Sequence, residues 1–398
     1  METISQSKEM MTPLELTNLI HCIARTHLRK RDKAYIEYSI KKDIRWDHFL
    51  KLADHEGLEG LLYHHLKALD LLSHIPKSSL MVLEKRILEI IQHNLTSLTA
   101  ARDIAALLAE IKMPGIALQG LSVMKFYGDP ALRPMSDVDF MVQPGHEEKF
   151  LQSLMQSGYH APYAVYPNLL YKNGVLLDVH THLLNLDRIQ ARRYLFPQNL
   201  TPMWERALPY FDHNEYLLAL DPYDNIIALA AHALKHGYSR LIWLVDLHES
   251  LLKIEGGGEE SWAKLVQRTK DWRQDRVVLY ALIQIEDFFG LRVPFKAKRD
   301  LGLHRLNMVE KHGLRLKIRG SSLNEFSILL SLFSVRGFGS KIKFLLENLF
   351  PRRQIMSQIF PRDTHVVKRT DYFKRLFNIA TLLLKNLHNT IGRNLWIS

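Results

Sequence analysis

Residues 97 to 185 alternate short apolar strands with helices inside a chain whose apolar periodicity is otherwise helical, and this contrast constrains the fold most. "SLTAARDIAALLAEIK" has helical spacing, and "GIALQG" reads as a buried strand ending at Gly120. "LSVMKFYG" is a helix turn closed by the break at Gly128-Asp129-Pro130. "DVDFMVQ" then reads as a strand, "GHEEKFLQSLMQSG" as a helix and "GVLLDVHTHL" as another strand. On the N-terminal side, "WDHFLKLADHEGLEGLLYHHLKAL" and "LMVLEKRILEIIQHNL" are helical, with breaks near Gly57 and Pro76. After residue 200 helices return: "DPYDNIIALAAHALKHG" carries an Asp and a Pro suited to a helix start, and "SRLIWLVDLHESLLKI" follows almost at once. "GGGEE" at 256–260 reads as a linker, and further helices are expected over 261–270, 274–289, 322–334, 340–349 and 372–390. The pattern predicts an α+β chain with a small mixed sheet over 96–200. Helical regions flank it at 1–95, 201–290 and 291–398.

With 398 residues, 47% of them hydrophobic, the chain can bury two or three cores. Cys22 is the single cysteine, which excludes an internal disulfide and a thiolate cluster. The N-terminus lacks a basic segment followed by an apolar one, and no uncharged run reaches membrane-spanning length. A cytoplasmic chain with no transmembrane segment is expected. Charge is uneven: residues 291–398 hold 21 Lys and Arg against 6 Asp and Glu, or +15, while the first 290 hold 32 against 36, or −4. That asymmetry points to an anionic partner at the C-terminal end. The last helix sets Phe373, Leu376, Phe377, Ala380, Leu383, Leu384, Leu387 and Ile391 along one stripe among basic residues. The stripe is expected to dock on the core; peripheral attachment to a membrane surface is the other use of such a helix.

Asp137 and Asp139 flank Val138 at a strand entry, so both acids face one side, about 6 to 7 Å apart. Asp178 interrupts the apolar run "VLLDVHTHL". Isolated buried carboxylates are costly, and a divalent cation removes the conflict; Mg²⁺ favours one or two protein carboxylates completed by phosphate and water. If the two strands are neighbours, the three acids converge on one or two metal ions.

"LQGLSVMKFYGDPALRPMSDVDFMV" followed by "LLDVHTHL" resembles the nucleotidyltransferase superfamily of polymerase-β-like folds. More narrowly the chain is similar to a bacterial family of uncharacterised nucleotidyltransferases, carrying a K-G turn, an R-P-x-x-D-x-D segment and a D-x-H strand. The likeness covers roughly residues 45–255. It implies a nucleotidyltransferase core that moves a nucleoside monophosphate from a nucleoside triphosphate to an acceptor hydroxyl, with Mg²⁺ or Mn²⁺ and release of pyrophosphate. Asp137, Asp139 and Asp178 would hold the metals, Asp178 also helping to deprotonate the acceptor. Gly120 would let the backbone approach the triphosphate, with Ser122, Lys125 and Arg133 as further nucleotide contacts. His180, Lys235 and Arg240 are accessory candidates. The acceptor, whether a small molecule, a sugar, a protein or RNA, stays open. Gln119 stands where the narrow family carries Lys, and Gly-Leu-Ser replaces Gly-Ser. These departures favour the alternative, a weakly active or inactive module kept for binding or regulation. His182 shares the strand face of Asp178, and His232 and His236 have the i,i+4 spacing of zinc helices without the metalloprotease glutamate.

Overall fold

The computed structural model describes residues 9–163, 166–186, 190–318, 324–360, 367–378 and 381. Helix ends fall where the sequence supplies caps. Thr12 and Glu15 form a capping box at the start of α1 (Pro13–Ile23), and α2 (Lys30–Ile40) follows. Gly57, at φ 72°, ends α3 (Trp46–Glu56) and turns the chain into α4 (Glu59–Ala68). The two helices expected between Pro76 and the first strand are one: α5 (Lys77–Glu110) runs unbroken for 34 residues, about 50 Å. It passes straight through residues 95 and 96, so the N-terminal helices and the sheet share one rod.

Next come β1 (Gly115–Ala117), the short α6 (Gln119–Val123), β2 (Val138–Val142) and α7 (Glu147–Gln156). They are followed by β3 (Leu169–Lys172) and β4 (Val175–His180), joined by Asn173-Gly174. Both turn residues have positive φ, the requirement of a tight hairpin that Asn-Gly meets. After α8 (Thr201–Arg206), β5 (Leu208–Pro209) and β6 (Leu217–Ala219) extend the sheet beyond the expected 96–200. The order is β3-β4-β2-β1-β6-β5. β2 runs parallel to β4, and β1 lies antiparallel to β2 and parallel to β6.

One face of the sheet, carrying Val138, Phe140, Leu177 and Val179, packs on Ile104 and Leu108 of α5 and Phe150 of α7. The opposite face, with Ile116 and Met141, joins a larger core. Strand alternation therefore turns Asp139, Asp178 and His180 away from α5 and toward the helices that follow.

Those helices are α9 (Pro222–Lys235), capped by Asp221, then α10 (Leu241–Glu255), α11 (Gly258–Asp271) and α12 (Asp275–Phe289). "GGGEE" is no interdomain linker. Gly256 and Gly257 make a two-residue turn, and α11 already begins at Gly258. Leu19, Phe49 and Leu61 share one core with Ile227, Leu244 and Tyr280, so the N-terminal helices and the 201–290 region are packed as one body. Arg25 and Arg29 reinforce that junction, donating to the Phe289 carbonyl at 2.9 and 3.1 Å while Asp32 pairs with both. Cations at the last carbonyls of α12 also suit the helix dipole.

The C-terminal region folds as α13 (Phe295–Asp300), α14 (Met308–Ile318), α15 (Asn324–Ser334), α16 (Phe338–Leu349) and α17 (Arg353–Ile359). Residues 369–378 are helical, whereas most of the expected 372–390 helix lies outside the described residues. Of its first stripe residues, Phe373 and Phe377 are exposed and Leu376 is half-buried. Among the described residues no helix is long and apolar enough to cross a membrane.

His65 in α4 is buried and donates through Nε2 to the Arg25 carbonyl at 2.6 Å. Burial pushes its pKa down to about 4, against the pull of that carbonyl. The folded-state pKa lies below the unfolded one, so the unfolded chain binds the proton first and stability falls as pH drops from about 6.5 toward 4. Chemical denaturation of wild type and His65→Gln at pH 7 and pH 4.5 tests this: wild type loses about 2 kcal/mol more than the variant.

Candidate active site

The parallel pairing of β2 and β4 sets Asp139 directly opposite Asp178 and Met141 opposite His180. Neighbouring strands lie about 4.8 Å apart, so the two carboxylates stand side by side on one sheet face. His180 reaches between them: its Nε2 lies 2.8 Å from Asp139 Oδ1 and 3.5 Å from Asp178 Oδ2. Asp139 and His180 are buried, whereas the Asp178 side chain keeps 21% of its surface open. Burial opposes charge on the imidazole, but the Asp139 hydrogen bond and the two carboxylate charges prevail and raise its pKa. Gln119, at φ 47°, donates from Nε2 to Asp139 Oδ1 at 3.1 Å. A left-handed non-glycine residue carries backbone strain, here spent on presenting an amide to the carboxylate.

These residues fit a divalent cation. One donor atom from each of Asp139, Asp178 and His180 lies within 4.8 Å of the others. Ligands bound at about 2.0 to 2.2 Å in octahedral or tetrahedral arrangement are separated by about 3 to 3.5 Å, so the two contacts to His180 Nε2 are near the edges of such a polyhedron. Asp137 stands outside this group, just ahead of β2, where its carboxylate accepts from Ser136 Oγ at 2.8 Å. Burial and the nearby Asp139 charge raise its pKa, so it faces the same acidic pocket.

Arg133, expected at a phosphate, is bonded within the protein. Its buried guanidinium forks onto Asp246 of α10, Nε at 3.2 Å and the terminal nitrogen at 2.8 Å, and also donates to the Pro134 carbonyl at 3.2 Å. The Tyr127 hydroxyl donates to the same carboxylate at 2.6 Å. Gly120 serves this pair. A Cβ there would come within 2.3 Å of the Arg133 guanidinium, so the absence of a side chain makes room for the arginine. Asn94 of α5 holds the same loop, donating to the Pro130 and Arg133 carbonyls at 2.6 and 2.9 Å and accepting from the Met135 amide at 3.3 Å. Gly60 admits the loop from the other side: a Cβ would sit 1.9 Å from the Ala131 carbonyl oxygen.

Ser122 is buried and donates to the Gln119 carbonyl at 2.8 Å and to Asn225 at 3.1 Å, which braces the turn against α9. Lys125 is exposed. Lys235 donates to Asn185 at 3.4 Å, and its charge is felt at His180. Arg240 caps α3 instead, donating to the His55 and Asp54 carbonyls at 3.1 and 3.3 Å. His182 is held by the Pro197 carbonyl and the Leu184 amide. His232 and His236 pack with Trp243, ring centres 5.0 and 5.1 Å from it, and no third metal donor joins them among the described residues.

Asp246, Asn94 and the Asp139-binding amide of Gln119 are the residues sequence reasoning missed. Asp246 had a signal, a lone charge inside the apolar run "LIWLVDL". Asn94 had a weaker one, as a buried amide in the middle of a long helix.

A family model described as uncharacterised nucleotidyltransferase matches residues 42–290. No curated protein and no solved structure matches the chain. The matched span includes α5, every strand and Asp246, so it holds both the acidic cluster and the ion pair that supports it.

Removing one partner of a buried ion pair strands the other. Asp246→Ala is expected to destabilise the protein by about 3 to 5 kcal/mol, read from the denaturant midpoint. A shift comparable to a surface substitution, below about 0.5 kcal/mol, would show the pair to be dispensable.

Proposed function

The chain belongs to the uncharacterised nucleotidyltransferase family, and from that premise we propose that it is a metal-dependent enzyme of polymerase-β-like type, moving a nucleoside monophosphate from a nucleoside triphosphate to an acceptor hydroxyl. The observation that carries this reading is the opposed pair Asp139 and Asp178 with His180 between them. A cation there, Mg²⁺ or Mn²⁺, would neutralise phosphate charge and acidify the attacking hydroxyl. Asp139 and His180 would hold it, with Gln119 orienting Asp139. Asp137, just ahead of β2, supplies a second acidic position. Asp178, the more open carboxylate, would complete the cation's ligands, and it receives the proton of the acceptor hydroxyl. The acceptor oxygen then bonds to the α-phosphorus while the bond from that phosphorus to the bridging oxygen breaks, and pyrophosphate leaves with the electron pair. Of the four nucleotide contacts expected, Lys125 has an exposed cation suited to phosphate; Gly120, Ser122 and Arg133 act by shaping and bracing the turn.

One observation favours a second reading, a module that binds nucleotide without transferring it. The Gln119 amide occupies the oxygen of Asp139 that also faces His180. Calorimetry with ATP, CTP, GTP and UTP, each with Mg²⁺ or Mn²⁺, combined with a transfer assay separates the two. Binding without turnover supports the module, and no binding to any nucleotide overturns both.

Two substitutions carry the metal assignment. Asp139→Asn is expected to weaken Mn²⁺ binding by at least about 100-fold and abolish transfer, with the cooperative melt retained; Gln119→Ala costs about tenfold in affinity. Unchanged Mn²⁺ binding in Asp139→Asn would show that the cation sits elsewhere.

A further inference from the structure

A cavity of about 60 Å³ is lined in part by Lys235, whose charge is felt at His180. Lys235 of α9 stands at its inner edge, bonded to Asn185 five residues after His180. The rest of the lining includes Arg192, Gln274, Ser331, Phe344 and Asn348. Two features point to a ligand. Arg192 and Lys235 contribute two positive charges, and the described lining contains no Asp or Glu. The volume gives room for roughly four water-sized groups.

In-line transfer places the acceptor and the leaving pyrophosphate on opposite sides of the α-phosphorus. With the triphosphate on the Gly120 and Lys125 side, the acceptor comes from the Lys235 side. We propose that this cavity receives the acceptor, and that the acceptor is a small hydroxylated anion. Its anionic group meets Arg192 and Lys235, and the nucleophilic hydroxyl reaches back toward Asp178. This inference rests on the transferase reading and narrows it. It also gives the C-terminal region a role, because Ser331, Phe344 and Asn348 lie beyond the residues matched by the family model. The catalytic acids come from the family domain, while one wall of the acceptor pocket comes from outside it.

The test uses the full chain with α-labelled nucleoside triphosphates and Mn²⁺, offered separately the low-molecular-weight filtrate and the macromolecular retentate of a cell extract. Label is expected in a small anionic product from the filtrate. Ser331→Phe, which fills the cavity from α15, is expected to cut that labelling by at least about tenfold while nucleotide and Mn²⁺ binding by calorimetry stay unchanged. Ser331→Val repeats the test with a smaller filling if the Phe variant does not melt cooperatively. Label only on protein or RNA in the retentate overturns the pocket proposal and leaves nucleotidyl transfer standing. Filtrate labelling that both variants leave intact overturns it as well. No labelled product from either fraction overturns the transferase reading, and this proposal with it.

Discussion

The Arg133 guanidinium and the Asp246 carboxylate meet where water does not reach, and the acidic cluster is placed by what that meeting holds in register. Arg133 ends the long loop between α6 and β2, while Asp246 sits in the second helix of the domain that covers the sheet. Pairing them pins the loop just before the D-x-D segment and fixes the helical cover at the same time. Either charge would be stranded without the other, since the desolvation of each is offset by its partner, by the Tyr127 hydroxyl and by the Pro134 carbonyl. Gly60 and Gly120 are small because the loop and the guanidinium run against them.

The sheet face was legible from alternation alone: "DVDFMVQ" and "GVLLDVHTHL" became β2 and β4, and their acids share a side as the period of two requires. The strands beyond β1 were not. β5 and β6 are two and three residues long, too short to show any periodicity; β6 joins the sheet along β1, and β5 along β6. The hairpin between β3 and β4 did have a signal in Asn173-Gly174. Merging two helices into α5 could not be read locally, because Asn94, the residue that spoils the apolar pattern, is there to bind a loop distant in sequence.

The site divides in the same way. Residue types that need one another at short range, Asp137, Asp139, Asp178 and His180, stand out as polar interruptions in apolar strands. Arginine is harder to place, since bidentate geometry suits a carboxylate as well as a phosphate. Arg133 took the carboxylate, and Arg240 took helix carbonyls. Which partner wins depends on long-range packing, the part of the problem that spacing does not encode.

The register between β2 and β4 has a bearing on errors in folding. Sliding β2 by one residue would turn Val138 and Phe140 toward the helical cover and Asp139 to the α5 side, and sliding β4 would do the same to Leu177, Val179 and Asp178. A chain misaligned there loses core packing and parts Asp139 from Asp178 in one step.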